Sequence, residues 1–214
     1  MTEYVLSPAV IASGRDEMIG KVNAVKKEVS RIHIDIMDGI FVKQESNWFP
    51  FSLPSFKGEY EAHLMVSDPA SWLKRKEAEH FDILVIHAEI GSHDLLQSVV
   101  DAIKKKKKEV FLALNPETPW ENYLDLLHKI NGVQVMCVHP GQYSATFILR
   151  MLEKVRSLRQ HFPSLFIQVD GGMNEKNILL AKKAGANGFI VGGRIFKTQD
   201  PLKALWDLEK VVGK

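Results

Sequence analysis

Short apolar runs alternate with longer amphipathic stretches along this chain, at a beat of about 25 residues. The apolar runs read as strands over Val5–Ala12, Arg31–Met37, Glu61–Val66, Ile83–Ala88, Val110–Asn115, Val133–His139, Leu165–Asp170 and Gly188–Val191. Helical periodicity fills the intervals and predicts helices over Asp16–Lys27, Pro69–Glu79, Asp94–Lys106, Pro119–Lys129, Ala145–Gln160, Glu175–Ala184 and Pro201–Val212. Only Lys43–Lys57 breaks the beat; its Pro50, Pro54 and several aromatics predict a long loop or a short helix.

Strands that alternate with helices imply right-handed parallel crossovers, and eight such strands are the number that closes a barrel. The fold class expected is therefore α/β, a (β/α)8 barrel occupying residues 1–214 as a single domain. Strands such as LVIHA and GFIVGG are apolar almost throughout, as a sheet covered on both faces requires. The rival, a doubly wound open sheet, lacks its signature, because no strand is followed by G-x-G-x-x-G with an acidic residue about 20 positions later.

Composition narrows the function classes. With 45% hydrophobic residues the chain can bury a sizeable core, and its single cysteine, Cys137, excludes an intramolecular disulfide. The N-terminal MTEYVLSPAV does not read as a secretory signal, so a reducing, cytoplasmic setting is expected. No stretch approaches the roughly 18 uninterrupted apolar residues of a membrane span. A formal charge of +2 gives no general electrostatic reason to bind nucleic acid. The run Lys104 to Lys108 reads as a solvated helix end whose cations offset the helix dipole.

In a barrel of this kind the active site lies at the carboxyl ends of the strands. Polar residues gather there: His33, Asp35 and Asp38 on the second strand, His63 on the third, His87 and Glu89 on the fourth, Asn115 on the fifth, His139 on the sixth and Asp170 on the seventh. Alternate strand residues share a face, so His33 and Asp35 point the same way. With His63 and Asp170 they offer two imidazoles and two carboxylates, a donor set suited to a divalent cation such as zinc, iron, manganese or cobalt. Two carboxylates on different strands also suit proton abstraction beside a carbonyl and return of a proton to the opposite face, which is epimerisation. The alternative for Asp35 and Asp170 is a role as ligands or loop caps alone. Glycine-bearing loops after the last strands, VDGGMN and VGGRIF, suggest phosphate binding through Gly171, Gly172, Gly192 and Gly193, with Arg194 adding a charge-assisted contact.

The motifs HIDIMDG, HLMV, IHAE, LNPETP, MCVHPG, VDGGMN and GANGFIVGG occur in this order over nearly the whole chain. In them the chain resembles the ribulose-phosphate 3-epimerase family. The resemblance implies a metal-dependent enzyme on a (β/α)8 barrel that interconverts D-ribulose 5-phosphate and D-xylulose 5-phosphate. It implies that His33, Asp35, His63 and Asp170 are metal ligands and that Asp35 and Asp170 are the acid/base pair. It places Met37, Met65 and Met136 in the substrate pocket, where the residues alone would favour ordinary packing. A homo-oligomer is expected from the same resemblance, and Gly141 falls in the loop after the sixth strand.

Three departures stand out. The family's opening strand resembles PSILSAD and here reads PAVIASG, with Ala12 at the second serine; the neighbouring Ser13 is not a simple replacement, since one step along a strand reverses the face. The PGFGGQ loop is PGQYSATF, altered around Gln142 to Ala145, and the family's glycine-serine after the eighth strand is Gly192 and Gly193 followed by Arg194. These changes keep two further readings open: an epimerase of a related ketose phosphate such as a hexulose 6-phosphate, and a non-catalytic barrel that binds a phosphorylated metabolite. An orotidine-phosphate decarboxylase relative is a weaker third, because HIDIMDG lacks the lysine that chemistry needs.

Overall fold

The computed structural model describes residues 4–141 and 145–213. In chain order the strands are β1 (Val5–Val10), β2 (Arg31–Asp38), β3 (Glu45–Ser46), β4 (Glu59–Met65), β5 (Ile83–His87), β6 (Glu109–Leu114), β7 (Gly132–Met136), β8 (Phe166–Asp170) and β9 (Gly188–Val191). All but β3 run parallel in the order β1-β2-β4-β5-β6-β7-β8-β9, and β9 pairs back onto β1. The sheet is thus closed, and the (β/α)8 barrel expected from the alternating pattern is present. β3 is a two-residue antiparallel graft on the end of β2, with Met37 opposite Ser46, inside the long loop predicted there.

The helices are α1 (Arg15–Val25), α2 (Pro69–Trp72), α3 (His93–Lys105), α4 (Leu124–Leu127), α5 (Met151–His161), α6 (Glu175–Ala184), α7 (Gly193–Phe196) and α8 (Pro201–Val212). Local chemistry sets several of their ends. Ser92, Asn174 and Asp200 each accept a backbone N–H in the first turn of the helix that follows. Gly185, at φ 110°, closes α6 in the left-handed conformation, its amide bonding back to Ala181 and Lys182.

Three predicted helices differ from what forms. Pro69–Glu79 divides into α2 and a 3₁₀ turn over Lys76–His80, because the positions three and four beyond Trp72 and Leu73 are Arg75, Lys76 and Glu77, which interrupt the apolar face. Pro119–Lys129 begins as a 3₁₀ turn over Trp120–Tyr123, a winding that aligns residues three apart. There Trp120 donates to Ser157 and Tyr123 to the Ala88 carbonyl. Finally, α5 starts at Met151 rather than Ala145, since the Ile148 amide is committed to the Cys137 carbonyl at 2.8 Å.

Packing follows the two-residue period of the strands. On β2, Ile32, Ile34 and Ile36 are fully buried in the main core shared with the helices, while Arg31, His33, Asp35 and Met37 alternate with them. A separate small cluster of Ile83, Val85, Phe111 and Ala113, with Phe166 against it, shares the barrel interior with Arg31, whose guanidinium lies 5.6 Å from the Phe111 ring and 5.2 Å from the Phe166 ring.

Candidate metal and substrate site

Strand register builds the site. In the β2–β4 ladder His33 sits opposite Glu61, Asp35 opposite His63 and Met37 opposite Met65; in β7–β8 Gln134 faces Gln168 and Met136 faces Asp170. Register partners in a parallel ladder project to the same side, so these residues share the barrel interior. His33, Asp35, His63 and Asp170 each bring one ligand atom to a cluster in which all four atoms lie within 4.8 Å of one another. Asp35 Oδ1 is 3.0 Å from His63 Nδ1 and 3.3 Å from His33 Nε2, and Asp170 Oδ2 is 3.5 Å from His63 Nδ1.

Around the cluster lies a buried polar frame. His33 Nδ1 bonds to the Glu61 carboxylate, which also accepts from Gln168 at 2.9 Å and faces Arg31 at 3.5 Å. Gln168 donates to Gln134 at 2.7 Å, and Gln134 donates to Asp170 at 3.1 Å. His33 Nε2, by contrast, is buried without a hydrogen-bond partner although it faces the cluster. An orphaned buried nitrogen is costly, and a cation there would satisfy it. Two imidazole nitrogens and two carboxylates are also a donor set that first-row divalent metals accept. The residues present therefore fit such an ion.

The same proximity separates the two carboxylates electrostatically. Burial would push Asp35 up, but the His33 and His63 imidazoles outweigh it and hold Asp35 well below the usual carboxylate range. Asp170 moves the other way, pushed up to about 7 by burial and then by the negative charge of Asp35. Burial also opposes charge on His33, yet Asp35 and Glu61 prevail and its pKa rises; for His63 burial prevails and its pKa falls.

Next to the cluster opens a cavity of about 350 Å³. Asp35 and Asp170 line it together with Met37, Met65 and Met136, and the glycines Gly141, Gly171, Gly172, Gly192 and Gly193 border it with Arg194.

Residues 5–196 match the model of the ribulose-phosphate 3-epimerase family. The chain belongs to that family. Ribulose-phosphate 3-epimerase, cytoplasmic isoform, of Oryza sativa subsp. japonica is 33% identical over 214 residues, spanning 97% of this chain and 93% of the rice protein. The ribulose-phosphate 3-epimerase of Schizosaccharomyces pombe is 28% identical over 222 residues, spanning 100% of this chain and 96% of the yeast protein. Among solved structures, 3-hexulose-6-phosphate synthase from Salmonella typhimurium superposes with a TM-score of 0.72 at 16% identity, covering 97% of this chain and 98% of the synthase. KGPDC from Streptococcus mutans gives 0.69 at 16%, covering 98% of this chain and 97% of its own. These two share the fold.

In this member of the epimerase family every residue read from the sequence as ligand, acid/base or pocket wall lies at the cluster or its cavity. Two of the other rim residues are elsewhere. His139 is exposed and pairs with Glu117, while Asp38 binds the loops after β2 and β4. Arg194 borders the cavity, but its guanidinium holds Glu175 at 2.6 Å. The departure assigned to Ala12 needs correction. Ala9 and Ile11 face the cavity, whereas Ala12 is buried with its backbone bonded to Ser46 and Asn47, so the small residue that shapes the pocket on β1 is Ala9. Ser13 is exposed and its hydroxyl donates to Glu17. Of the altered loop, Gln142 to Ser144 lie outside the described residues. Glu61, Gln134 and Gln168 are the residues that motif reading missed; each stands two positions before a site residue on its strand, so the period of two was the signal.

The glycine pair after β8 is required by space. A Cβ on Gly171, at φ 104°, would stand 2.3 Å from Val138 Cγ2, and one on Gly172, at φ 65°, would meet the Phe147 amide at 2.8 Å. Backbone thus reaches the cavity wall where any side chain would block it.

Proposed function

We propose that this chain is a metal-dependent sugar-phosphate 3-epimerase that interconverts D-ribulose 5-phosphate and D-xylulose 5-phosphate, and so serves pentose phosphate metabolism. The observation that carries the reading is the pair Asp35 and Asp170, which line one cavity from strands separated by β9 and β1 and whose surroundings push their pKa values in opposite directions. A ketose bound between them presents its C3 hydrogen to one carboxylate, which removes the proton as general base and leaves an enediolate. The other carboxyl group delivers a proton to the opposite face of C3, restoring the C2 carbonyl with inverted configuration. Proton count is conserved, and the two aspartates exchange roles in the reverse direction. A divalent cation held by His33, Asp35, His63 and Asp170 would supply Lewis-acid polarisation of the carbonyl.

Met37, Met65 and Met136 form an apolar lining beside the reacting carbons, which excludes water without offering a competing base. Gly171, Gly172, Gly192 and Gly193 let backbone amides approach the phosphate, and Arg194, paired with Glu175 at 2.6 Å, borders that end. The same chemistry on a six-carbon ketose phosphate is the second reading, favoured by Ala9 and Arg194 at the cavity. No helix among the described residues is long and apolar enough to cross a membrane, and the rice relative is a cytoplasmic isoform, which supports a cytoplasmic setting.

The test is proton exchange followed by NMR, with the metal-loaded protein in deuterated water and ribulose 5-phosphate or a hexulose 6-phosphate as substrate. Deuterium at C3 with formation of the C3 epimer is expected, fastest with the pentulose. Saturable ligand binding without exchange for any ketose phosphate would replace the enzyme by a non-catalytic binding barrel.

A further inference from the structure

His87 and Glu89 stand outside the four-residue cluster, yet they are wired to it. His87 ends β5 fully buried, with its ring stacked on His63 at 5.0 Å between centroids and its Nε2 2.9 Å from His63 Nε2. Its other nitrogen, Nδ1, lies 3.1 Å from Glu89 Oε2. Glu89 is fixed in turn, because its second oxygen accepts from the Asn115 amide at 3.0 Å and from the Thr118 hydroxyl. Lys154 pins that loop by donating to the carbonyls of Asn115, Pro116 and Thr118 at 2.7, 3.1 and 2.8 Å.

The direction of this chain follows from what each group can do. A carboxylate only accepts, so the hydrogen between His87 and Glu89 belongs to His87 Nδ1. In a neutral His87 the Nε2 is then the acceptor, and the hydrogen between the two imidazoles belongs to His63 Nε2. His63 is thereby left with its lone pair on Nδ1 once a cation takes the place of the hydrogen that this nitrogen otherwise shares with Asp35 Oδ1 at 3.0 Å, Asp170 Oδ2 lying 3.5 Å away. The opposite direction would place a proton on Nδ1 and close it to a cation. We propose that His87 and Glu89 are positioning residues that set the tautomer of His63 and present its Nδ1 to a divalent cation at the cluster. This inference rests on the metal-site reading above. Glu61 stands in the same relation to His33, bonded at Nδ1 while Nε2 faces inward, so both imidazoles are held from outside by a buried acceptor.

The experiment uses the full chain stripped of metal and titrated with Co(II) against a chromophoric chelator, with the visible Co(II) bands recorded on the loaded protein. Glu89→Ala and His87→Phe are expected to weaken Co(II) binding by about 10- to 100-fold. Glu89→Gln keeps a carbonyl acceptor and is expected to fall between them and the parent chain. The Co(II) bands should keep their intensity in all three, since the ligand set is unchanged. Parent-like affinity in Glu89→Ala with a cooperative melt would overturn the inference, and altered bands in His87→Phe would make His87 a ligand instead. Should His87→Phe fail to fold, the Glu89 pair carries the test, because that side chain is 24% exposed. Asp35→Asn is the reference: if it binds Co(II) as well as the parent chain, the cluster is not the metal site and both readings fall together.

Discussion

Asp38→Asn is expected to cost this protein far more than an isosteric change at the surface, and the structure shows why. Asp38 is 6% exposed at the end of β2, and it accepts from four donors of two loops. Oδ1 accepts from the amides of Ile40 and Phe41 at 2.9 and 2.8 Å, while Oδ2 accepts from the amide and hydroxyl of Ser67 at 2.6 and 2.7 Å. Burial alone would raise its pKa, but the Ser67, Phe41 and Ile40 donors outweigh it and hold it low. Asparagine keeps one oxygen, so one pair of donors survives without charge assistance and the other pair meets an NH₂. The Ser67 hydroxyl can turn to accept, but the amide facing that NH₂ cannot. Losing charge assistance and leaving one amide unsatisfied gives a cost of about 3 kcal/mol. For a chain of this size that corresponds to a fall in Tm of roughly 6–12 °C. Urea unfolding followed by tryptophan fluorescence measures it, with an unchanged m-value showing that the unfolded state is not the cause. Because the native pKa is depressed, the stabilisation is present above the unfolded value of about 3.9 and is lost as pH falls through the native one. A difference below about 0.5 kcal/mol at neutral pH, within ordinary surface scatter, or one that persists in acid, would refute the reasoning. The Phe41 ring lies 4.8 Å from that of His87, so the loosened loop should also raise KM.

Further outcomes are expected at the site itself. Asp35→Asn and Asp170→Asn should each lower turnover by at least about 10²- to 10⁴-fold with unchanged circular dichroism; full activity in either would end the two-carboxylate mechanism. Relative to Asp170→Asn, the metal-free parent protein should lose stability as pH rises from about 4 to 7, because Asp170 has a raised native pKa whose neutral form is lost over that window. His33, also raised, carries the same sign above about 6.5, whereas His63, lowered, carries the opposite sign below it, and added divalent metal should reverse the Asp170 trend. Gly171→Ala, forced to a positive φ against Val138, should destabilise by more than about 1 kcal/mol in denaturant titration and raise KM for the sugar phosphate.

How much of this was legible depended on whether burial left a mark in the local sequence. The parallel strands could be read because a doubly covered sheet is apolar on both faces, as in ILVIH of β5 and GFIV of β9. His33 and Asp35 could be paired because two residues on one strand share a face. The convergence of Asp170 with them could not, since it depends on closure of the ring through β9 and β1. Nor could the short α7 be read, because four residues carry too little periodicity. Ala12 was misassigned for a related reason. Beyond Val10 the chain leaves the strand, and which neighbouring residue faces the cavity is decided by bonds to Ser46 and Asn47 in a distant loop. Glu61, Gln134 and Gln168 carry no motif of their own, and only the strand pairing shows that they meet each other and His33 inside the barrel.

The two-residue alternation on β2 makes that strand behave like a reading frame. Arg31, His33, Asp35 and Met37 occupy one phase, and Ile32, Ile34 and Ile36 the other. Inserting or deleting one residue upstream, with the loops unable to absorb it, would hand the isoleucines to the cavity and turn the histidine and aspartate toward the helices. Substitutions here act one side chain at a time, but a shift in length erases the entire set at once. The loops are therefore where a change in chain length can be absorbed, and the strand spacing is where it cannot.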